Sequence, residues 1–118
     1  MTGSSTEGIK TVLVPVSDLA TAKAVYTALL GIAPQADSDY YVGFDAAGQH
    51  IGLVPGGGPQ GMASPVPYWH VPDIEGKLAE LTAAGATVKE PPREVGPGRL
   101  VATVTDPDGN VLGLLHDQ

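Results

Sequence analysis

The stretch Thr105-Asp106-Pro107-Asp108-Gly109-Asn110-Val111-Leu112-Gly113-Leu114-Leu115 decides the fold, because the chain says it twice. Asp106-Pro107-Asp108-Gly109 reads as a tight turn. An Asp at its first position bonds the backbone ahead, Pro presets φ at the second, and Gly closes it at φ > 0. The apolar run after it has strand length. Upstream, Asp45-Ala46-Ala47-Gly48-Gln49-His50-Ile51-Gly52-Leu53 matches Asp106 through Leu114 without a gap, with Asp, Gly, Gly and Leu in the same places. Gln49 answers Asn110.

A second echo precedes each copy. Val16-Ser17-Asp18-Leu19 opens a helical pattern that stops at Gly31, and Val71-Pro72-Asp73-Ile74 opens another that stops at Gly85. Asp18 and Asp73 are N-cap residues by type and position, and the two glycines stand where a helix ends in the left-handed conformation. Strand, Asp cap, helix, Gly stop, strands and turn therefore recur in one order. Two copies of one supersecondary unit follow: module one over residues 9–55, a linker over 56–65, and module two over 66–116.

Composition bounds the function. The chain has 118 residues, enough for one domain with a real core, and 42% hydrophobic against 16% charged residues fits a globular protein. A formal net charge of -7 argues against nucleic acid or an anionic membrane as partner. The absence of cysteine excludes thiol catalysis, thiolate metal sites and disulfides. Residues 1–8 are polar and read as a disordered leader, not a signal peptide, and no run is long enough for a membrane helix, so a cytoplasmic location is expected.

Taken in order, Ile9–Val16 reads as a strand, and the first helix runs to Leu30 with Leu19, Ala22, Tyr26, Leu29 and Leu30 inward. Residues 34–39 read as a loop. Tyr40–Asp45 and Gln49–Val54 form a hairpin. Gly56-Gly57-Gly58 lacks the Lys-Ser/Thr and helix start of a phosphate loop and reads as linker. Val66–Val71 is the next strand, followed by a helix to about Ala84 with Ile74, Leu78 and Leu81 inward. Ala86–Lys89 is a short strand ended by Pro91-Pro92. Val95–Gly98 is a turn, and Arg99–Thr105 and Val111–His116 are the last strands.

Two βαβββ units in this order resemble the vicinal oxygen chelate superfamily of glyoxalases, extradiol dioxygenases, fosfomycin resistance enzymes and bleomycin resistance proteins. The resemblance rests on Val16-Ser17-Asp18-Leu19 with Tyr26 and Leu30-Gly31, then on Tyr68-Trp69-His70-Val71 with Asp73, Ala84-Gly85 and Asp106-Pro107-Asp108-Gly109-Asn110. It implies an α+β fold in which two modules curl a mixed sheet into a cupped, open barrel with the helices outside. It also implies a small ligand held in the cup and a homodimer.

Metal-using members of that superfamily carry ligands in the first and last strands of each module. The matching positions here are Thr11, Gly52, Val66 and Gly113. Glycine and valine offer no donor, and Thr11 alone holds no divalent cation. No metal and no cofactor are expected. Strand alternation turns Thr11, Leu13, His50, Gly52, Val54, Val66, Tyr68, His70, Val111, Gly113 and Leu115 to the same side, with the two glycines leaving an open floor. Tyr68, His70 and His50 are then the polar groups in an apolar concavity, as small-molecule sites require. Each has a plainer reading: His70 as a structural histidine bonded to backbone, His50 as a rim residue near a turn. Trp69 has the opposite parity and reads as core. One of Tyr40 and Tyr41 faces in, Arg93 and Arg99 read as rim charges, and His116 sits at the surface end.

The resulting expectation is a metal-free binder of a small molecule, an antibiotic or a metabolite, with ligand contacts from Thr11, Leu13, His50, Gly52, Val66, Tyr68, His70 and Gly113. The alternative is a lyase or isomerase of the glyoxalase type, using His70 as acid/base or a divalent metal placed atypically.

Overall fold

In a computed structural model of the protein, the structure describes residues 6–56 and 62–117. The chain forms two compact units: Lys10–Val66, and Pro67–Gln118 joined by the N-terminal residues through Ile9. Each carries one βαβββ module, so the fold is α+β as expected. The elements are β1 (Gly8–Val16), α1 (Leu19–Leu30), β2 (Ala36–Asp37), β3 (Val42–Ala46) and β4 (Gln49–Pro55), then β5 (Val66–His70), α2 (Ile74–Ala83), β6 (Thr87–Glu94), β7 (Arg99–Thr105) and β8 (Val111–Asp117).

In the first unit the strands lie in the order β2-β3-β4-β1. β1 runs parallel to β4, pairing Thr11 with His50 and Leu13 with Gly52, and β3 and β4 form the hairpin, pairing Gly43 with Gly52 and Asp45 with His50. Ala47 and Gly48 connect them, both with positive φ (55° and 79°), the two-residue turn whose twist matches the strands. One face packs on α1. Val42, Phe44 and Leu53 are buried there, with Val14, Val16, Ile51 and the helix residues Leu19, Ala22, Tyr26 and Leu30 against them. Asp18 caps α1 by accepting from the Thr21 amide, and Gly31, at φ 73°, returns its own amide to Thr27.

The second unit repeats the plan as β5-β8-β7-β6. Tyr68 pairs with Gly113 and His70 with Leu115 in parallel register, and Thr103 pairs with Gly113 from the antiparallel side. Ile74 and Leu78 of α2 bury against Val71, Ala102, Val104 and Leu114, with Trp69 and Leu81 packed alongside. Asp73 accepts from the Gly76 amide as the helix cap. The Asp106–Asn110 turn is tied by its first side chain: Asp106 accepts from the Asp108 amide at 2.9 Å and from the backbone and side-chain amides of Asn110, each at 2.9 Å.

Four expectations need correction. Leu29 is 72% exposed: among the apolar residues of α1 the inward stripe is Leu19, Ala22, Tyr26 and Leu30, and Leu29 falls outside it. Residues 34–39 are not all loop, since Ala36–Asp37 adds a two-residue strand to β3. The hairpin strand begins at Val42, because Ser38 folds the chain back at Tyr40 and Tyr41 by accepting both of their amides. Pro91-Pro92 does not end β6, which continues to Glu94 as the edge strand of its unit, with register shifts on either side of Glu90. An edge needs no amide on its outer side, and a bulge absorbs the residue that cannot pair.

The polar leader is partly placed. Thr6 donates its hydroxyl, and Glu7 its amide, to the His70 carbonyl, both at 2.8 Å. Residues 1–5, and Gly57 to Gly61 of the linker and of the glycine run, lie outside the described residues. No helix among the described residues is long and apolar enough to cross a membrane.

Candidate functional site

The faces turned away from the helices carry the residues singled out from sequence. In the first unit the register places Thr11, Leu13, Gly43, Asp45, His50 and Gly52 on that face. Tyr41 joins them from just before β3, while its neighbour Tyr40 is 82% exposed, which settles which of the two faces in. In the second unit the corresponding face holds Tyr68, His70, Thr103, Gly113 and Leu115, with Glu90 and Arg93 opposite Thr103 and Val101. Val66, at the start of β5, is buried.

The open floor expected at Gly52 and Gly113 is filled. A Cβ on Gly52 would collide with the Tyr41 hydroxyl and lie 2.7 Å from Leu13 Cδ2. A Cβ on Gly113 would lie 2.5 Å from Tyr68 Cδ2 and 2.7 Å from Cε2 and Cγ. Each glycine is therefore the seat of a tyrosine ring, and the space that a missing side chain leaves is taken by a neighbour. Gly43 does the same for His50, whose Cε1 would lie 2.8 Å from an added Cβ.

On the seat formed by the paired glycines Gly43 and Gly52, three polar side chains join in series. His50 Nδ1 bonds Asp45 Oδ1 at 2.7 Å, and His50 Nε2 bonds the Tyr41 hydroxyl. The two rings lie nearly parallel, at 15°, with centroids 6.0 Å apart. With the imidazole neutral, its Nδ1–H donates to the carboxylate and the Tyr41 O–H donates to Nε2, so Asp45 fixes the tautomer. This changes the reading of His50 as a rim residue: its side chain is only 24% exposed and held at both nitrogens. Sequence reasoning had His50 in view but missed Tyr41 and Asp45 as its partners. The signal available was parity: Asp45 faces His50 across the hairpin, and Tyr41 lies two pleats before it.

The second unit is drier. Tyr68 is 1% exposed, and burial is the main reason its phenol is held above the ordinary tyrosine range; Arg93 opposes that shift and Glu90 adds to it. Thr103, 6% exposed, keeps a hydroxyl with no hydrogen-bond partner among the described residues. It lies between Glu90 and Gly113 and was not foreseen, because a Thr within Leu100-Val101-Ala102-Thr103-Val104 reads as ordinary strand sequence. His70 has its backbone carbonyl anchored by Thr6 and Glu7, and its ring shares a face with Asp117. Arg99 clasps Asp117 with two hydrogen bonds, 2.7 and 3.1 Å, and this pairing is the first reason that the Asp117 carboxyl is held below its usual range. His116 donates from Nδ1 to the Val71 carbonyl at 3.0 Å, so it serves the chain end, not this face.

The positions that would hold a divalent cation do not fit one. Thr11 and Val66 are buried with one hydroxyl between them, and Gly52 and Gly113 lie under tyrosine rings. Among the described residues no group of three or more His, Asp or Glu is placed to hold a metal.

The sequence model of the Glyoxalase/Bleomycin resistance protein/Dioxygenase superfamily matches residues 8–114. Among solved structures, methylmalonyl-CoA epimerase from Mycobacterium tuberculosis is similar at 16% identity with a TM-score of 0.74, over 100% of this chain and 93% of that one. The Mn(II)-bound glyoxalase from Novosphingobium aromaticivorans is similar at 20% identity and a TM-score of 0.73, over 95% of this chain and 39% of that one. A superfamily member from Vibrio splendidus 12B01 is similar at 17% identity and 0.67, over 91% and 97% of the two chains. No curated protein sequence matches the chain. At such identities the likenesses speak for the fold alone. The family match over nearly the whole chain agrees with the two βαβββ modules, and the protein belongs to the glyoxalase/bleomycin resistance protein/dioxygenase superfamily.

Proposed function

We propose that the protein binds a small aromatic or amphipathic molecule, a metabolite or an antibiotic, on the helix-free faces of its modules, as a homodimer and without a divalent metal or other cofactor. One observation carries this reading. The four positions that metal-using relatives fill with ligands hold Thr11, Gly52, Val66 and Gly113, and both glycines are covered by tyrosines. What the faces offer a ligand instead is an apolar surface with a few polar groups, which suits a small organic molecule. Leu13, His50 and His70, all half-buried, are the residues expected to touch it, while Tyr68 and Thr103 are buried.

The test is metal content of protein purified without added metal, then thermal shift titration with Zn²⁺, Ni²⁺, Mn²⁺ and Fe²⁺, then with a panel of small aromatic compounds. A bound ion at a hundredfold excess over Kd stabilises by about 2.7 kcal/mol, a shift easily read. The expected result is no shift with metals and a shift with one ligand class that His70→Ala weakens. A stoichiometric metal whose removal by chelator lowers the melting temperature would overturn the reading.

A second reading is a lyase or isomerase with His70 as acid/base. It is favoured by the enzymes among the structural neighbours, an epimerase and a glyoxalase. Under it, His70→Ala abolishes turnover instead of weakening binding.

A further inference from the structure

Module two shows that the fold does not need the Asp45–His50–Tyr41 series. The pairing of Thr103 with Gly113 in that module corresponds to that of Gly43 with Gly52 in this one, so the counterparts of Tyr41, Asp45 and His50 are Val101, Thr105 and Val111. An apolar or hydroxyl residue at each place builds the same sheet. Module one also gives up two side chains, at Gly43 and Gly52, to let the Tyr41 and His50 rings lie on the strands. A phenol, an imidazole and a carboxylate bonded in that order have the logic of an activated nucleophile: a hydroxyl, a base within hydrogen-bond reach, and a third group that orients the base.

We propose that Tyr41 is an activated phenol that accepts acyl groups from activated acyl donors, with His50 as its base and Asp45 as the positioning carboxylate. In the step, Tyr41 Oη forms a bond to the acyl carbon while its O–H bond breaks and the proton passes to His50 Nε2. The bond from the acyl carbon to the leaving group then breaks. The leaving group takes the electron pair and receives the proton from the imidazolium, and Asp45 stays ionised throughout. The product is O-acyl-Tyr41 and the protonated leaving group. Attack of water with the same base returns a carboxylic acid and the free phenol. This chemistry is independent of the ligand-binding reading, because it is read on the protein without any ligand.

Tyr40 supplies an internal reference. It is adjacent in sequence and 82% exposed, so accessibility alone would make it react before the partly buried Tyr41. The full chain would be treated with N-acetylimidazole at neutral pH, and acetylation of each tyrosine followed by fragmentation mass spectrometry. General-base assistance predicts Tyr41 acetylating roughly tenfold or more faster than Tyr40. His50→Gln should drop Tyr41 below Tyr40, and Asp45→Asn should slow Tyr41 severalfold, with the Tyr40 rate unchanged in both. If His50→Gln unfolds the protein, the rates of the buried Tyr68 and the half-buried Tyr26 rise together, and the exposed Asp45→Asn carries the test instead. A wild-type Tyr41 that reacts more slowly than Tyr40, or a Tyr41 rate indifferent to both substitutions in folded protein, would overturn the assignment.

Discussion

Gly113→Ala tests whether the glycines of the helix-free faces are seats or empty floor. The added Cβ would lie 2.5 Å from Tyr68 Cδ2 and 2.7 Å from Cε2 and Cγ, closer than real side chains approach. The atoms it meets belong to a ring that is 1% exposed and so has nowhere to swing. Forcing extra volume into such a place costs about 1–3 kcal/mol. For a domain of 118 residues, an unfolding entropy of ~2.1 cal/mol/K per residue turns each kcal/mol into a shift of about 4 °C. The melting temperature should therefore fall by about 4–12 °C. The decisive measurement is the double-mutant cycle with Tyr68→Ala, by urea unfolding. Without the ring, Gly113→Ala should be neutral or stabilising, because Gly inside a strand is worth roughly 0.5–1 kcal/mol less than Ala. Should Gly113→Ala cost the same with and without the ring, additive within ~0.5 kcal/mol, the seat would be wrong and the floor open.

Leu53→Ala, at a fully buried position under α1, should lose about 2–5 kcal/mol in denaturant unfolding with the m-value unchanged. Asp73→Ala removes the cap that holds the Gly76 amide and should cost about 1 kcal/mol, while Asp73→Ser restores most of it. Asp117 is depressed in the folded state, so its contribution is present above its unfolded value of 3.8 and lost as pH falls through the lower folded value; Asp117→Asn should flatten the acid limb of a stability-against-pH curve. Tyr68 is raised in the folded state, so its contribution is present below its unfolded value of 10.0 and lost as pH rises toward the folded one. Tyr68→Phe should lessen the alkaline loss in melts between pH 9 and 11, the range about the ordinary tyrosine value.

Local chemistry made much of this fold legible. Asp18 and Asp73 had to accept from the amides of a first turn, and the apolar spacing after each left one face for the sheet, so the helices lie where the sequence puts them. Parity along β5 separated Trp69, on the helix side, from Tyr68 on the other. What parity does not report is how far a ring from the next strand reaches. Gly52 and Gly113 look like gaps when each strand is read alone; the rings that fill them come from Tyr41, beyond the end of a neighbouring strand, and from Tyr68, in a neighbouring parallel strand. Pro91-Pro92 misled for a related reason, since whether a proline ends a strand depends on whether its outer side has a partner, which only the strand order reveals.

The repeat itself explains why one module gained a polar series and the other did not. Asp45 and Asp106 match in the sequence repeat, but in the strand register the place of Asp45 is taken by Thr105, and the two carboxylates have different work. Pro107 stands in the place of Ala46, the residue that closes the first hairpin against Gln49, and it has no backbone N–H to donate there, so the second turn does not close at that pair. It closes instead as a longer loop between Thr105 and Val111, and Asp106 is consumed in holding the Asp108 and Asn110 amides. In the first module Ala47 and Gly48 take the tight form, closing the hairpin at the Ala46–Gln49 pair with no help from a side chain. Asp45 is then left over, on the helix-free face, directly across from position 50. A histidine there finds a ready carboxylate, and the same position in module two, Val111, faces a threonine. Replacing Ala46-Ala47 with Pro-Asp, the pair module two carries, should draw Asp45 back into its turn and cut the His50 imidazole loose. NMR would read this as loss of the hydrogen-bonded His50 Nδ1 proton resonance. Retention of that proton with the Pro-Asp turn would show that the carboxylate is held by His50 and not released by the turn.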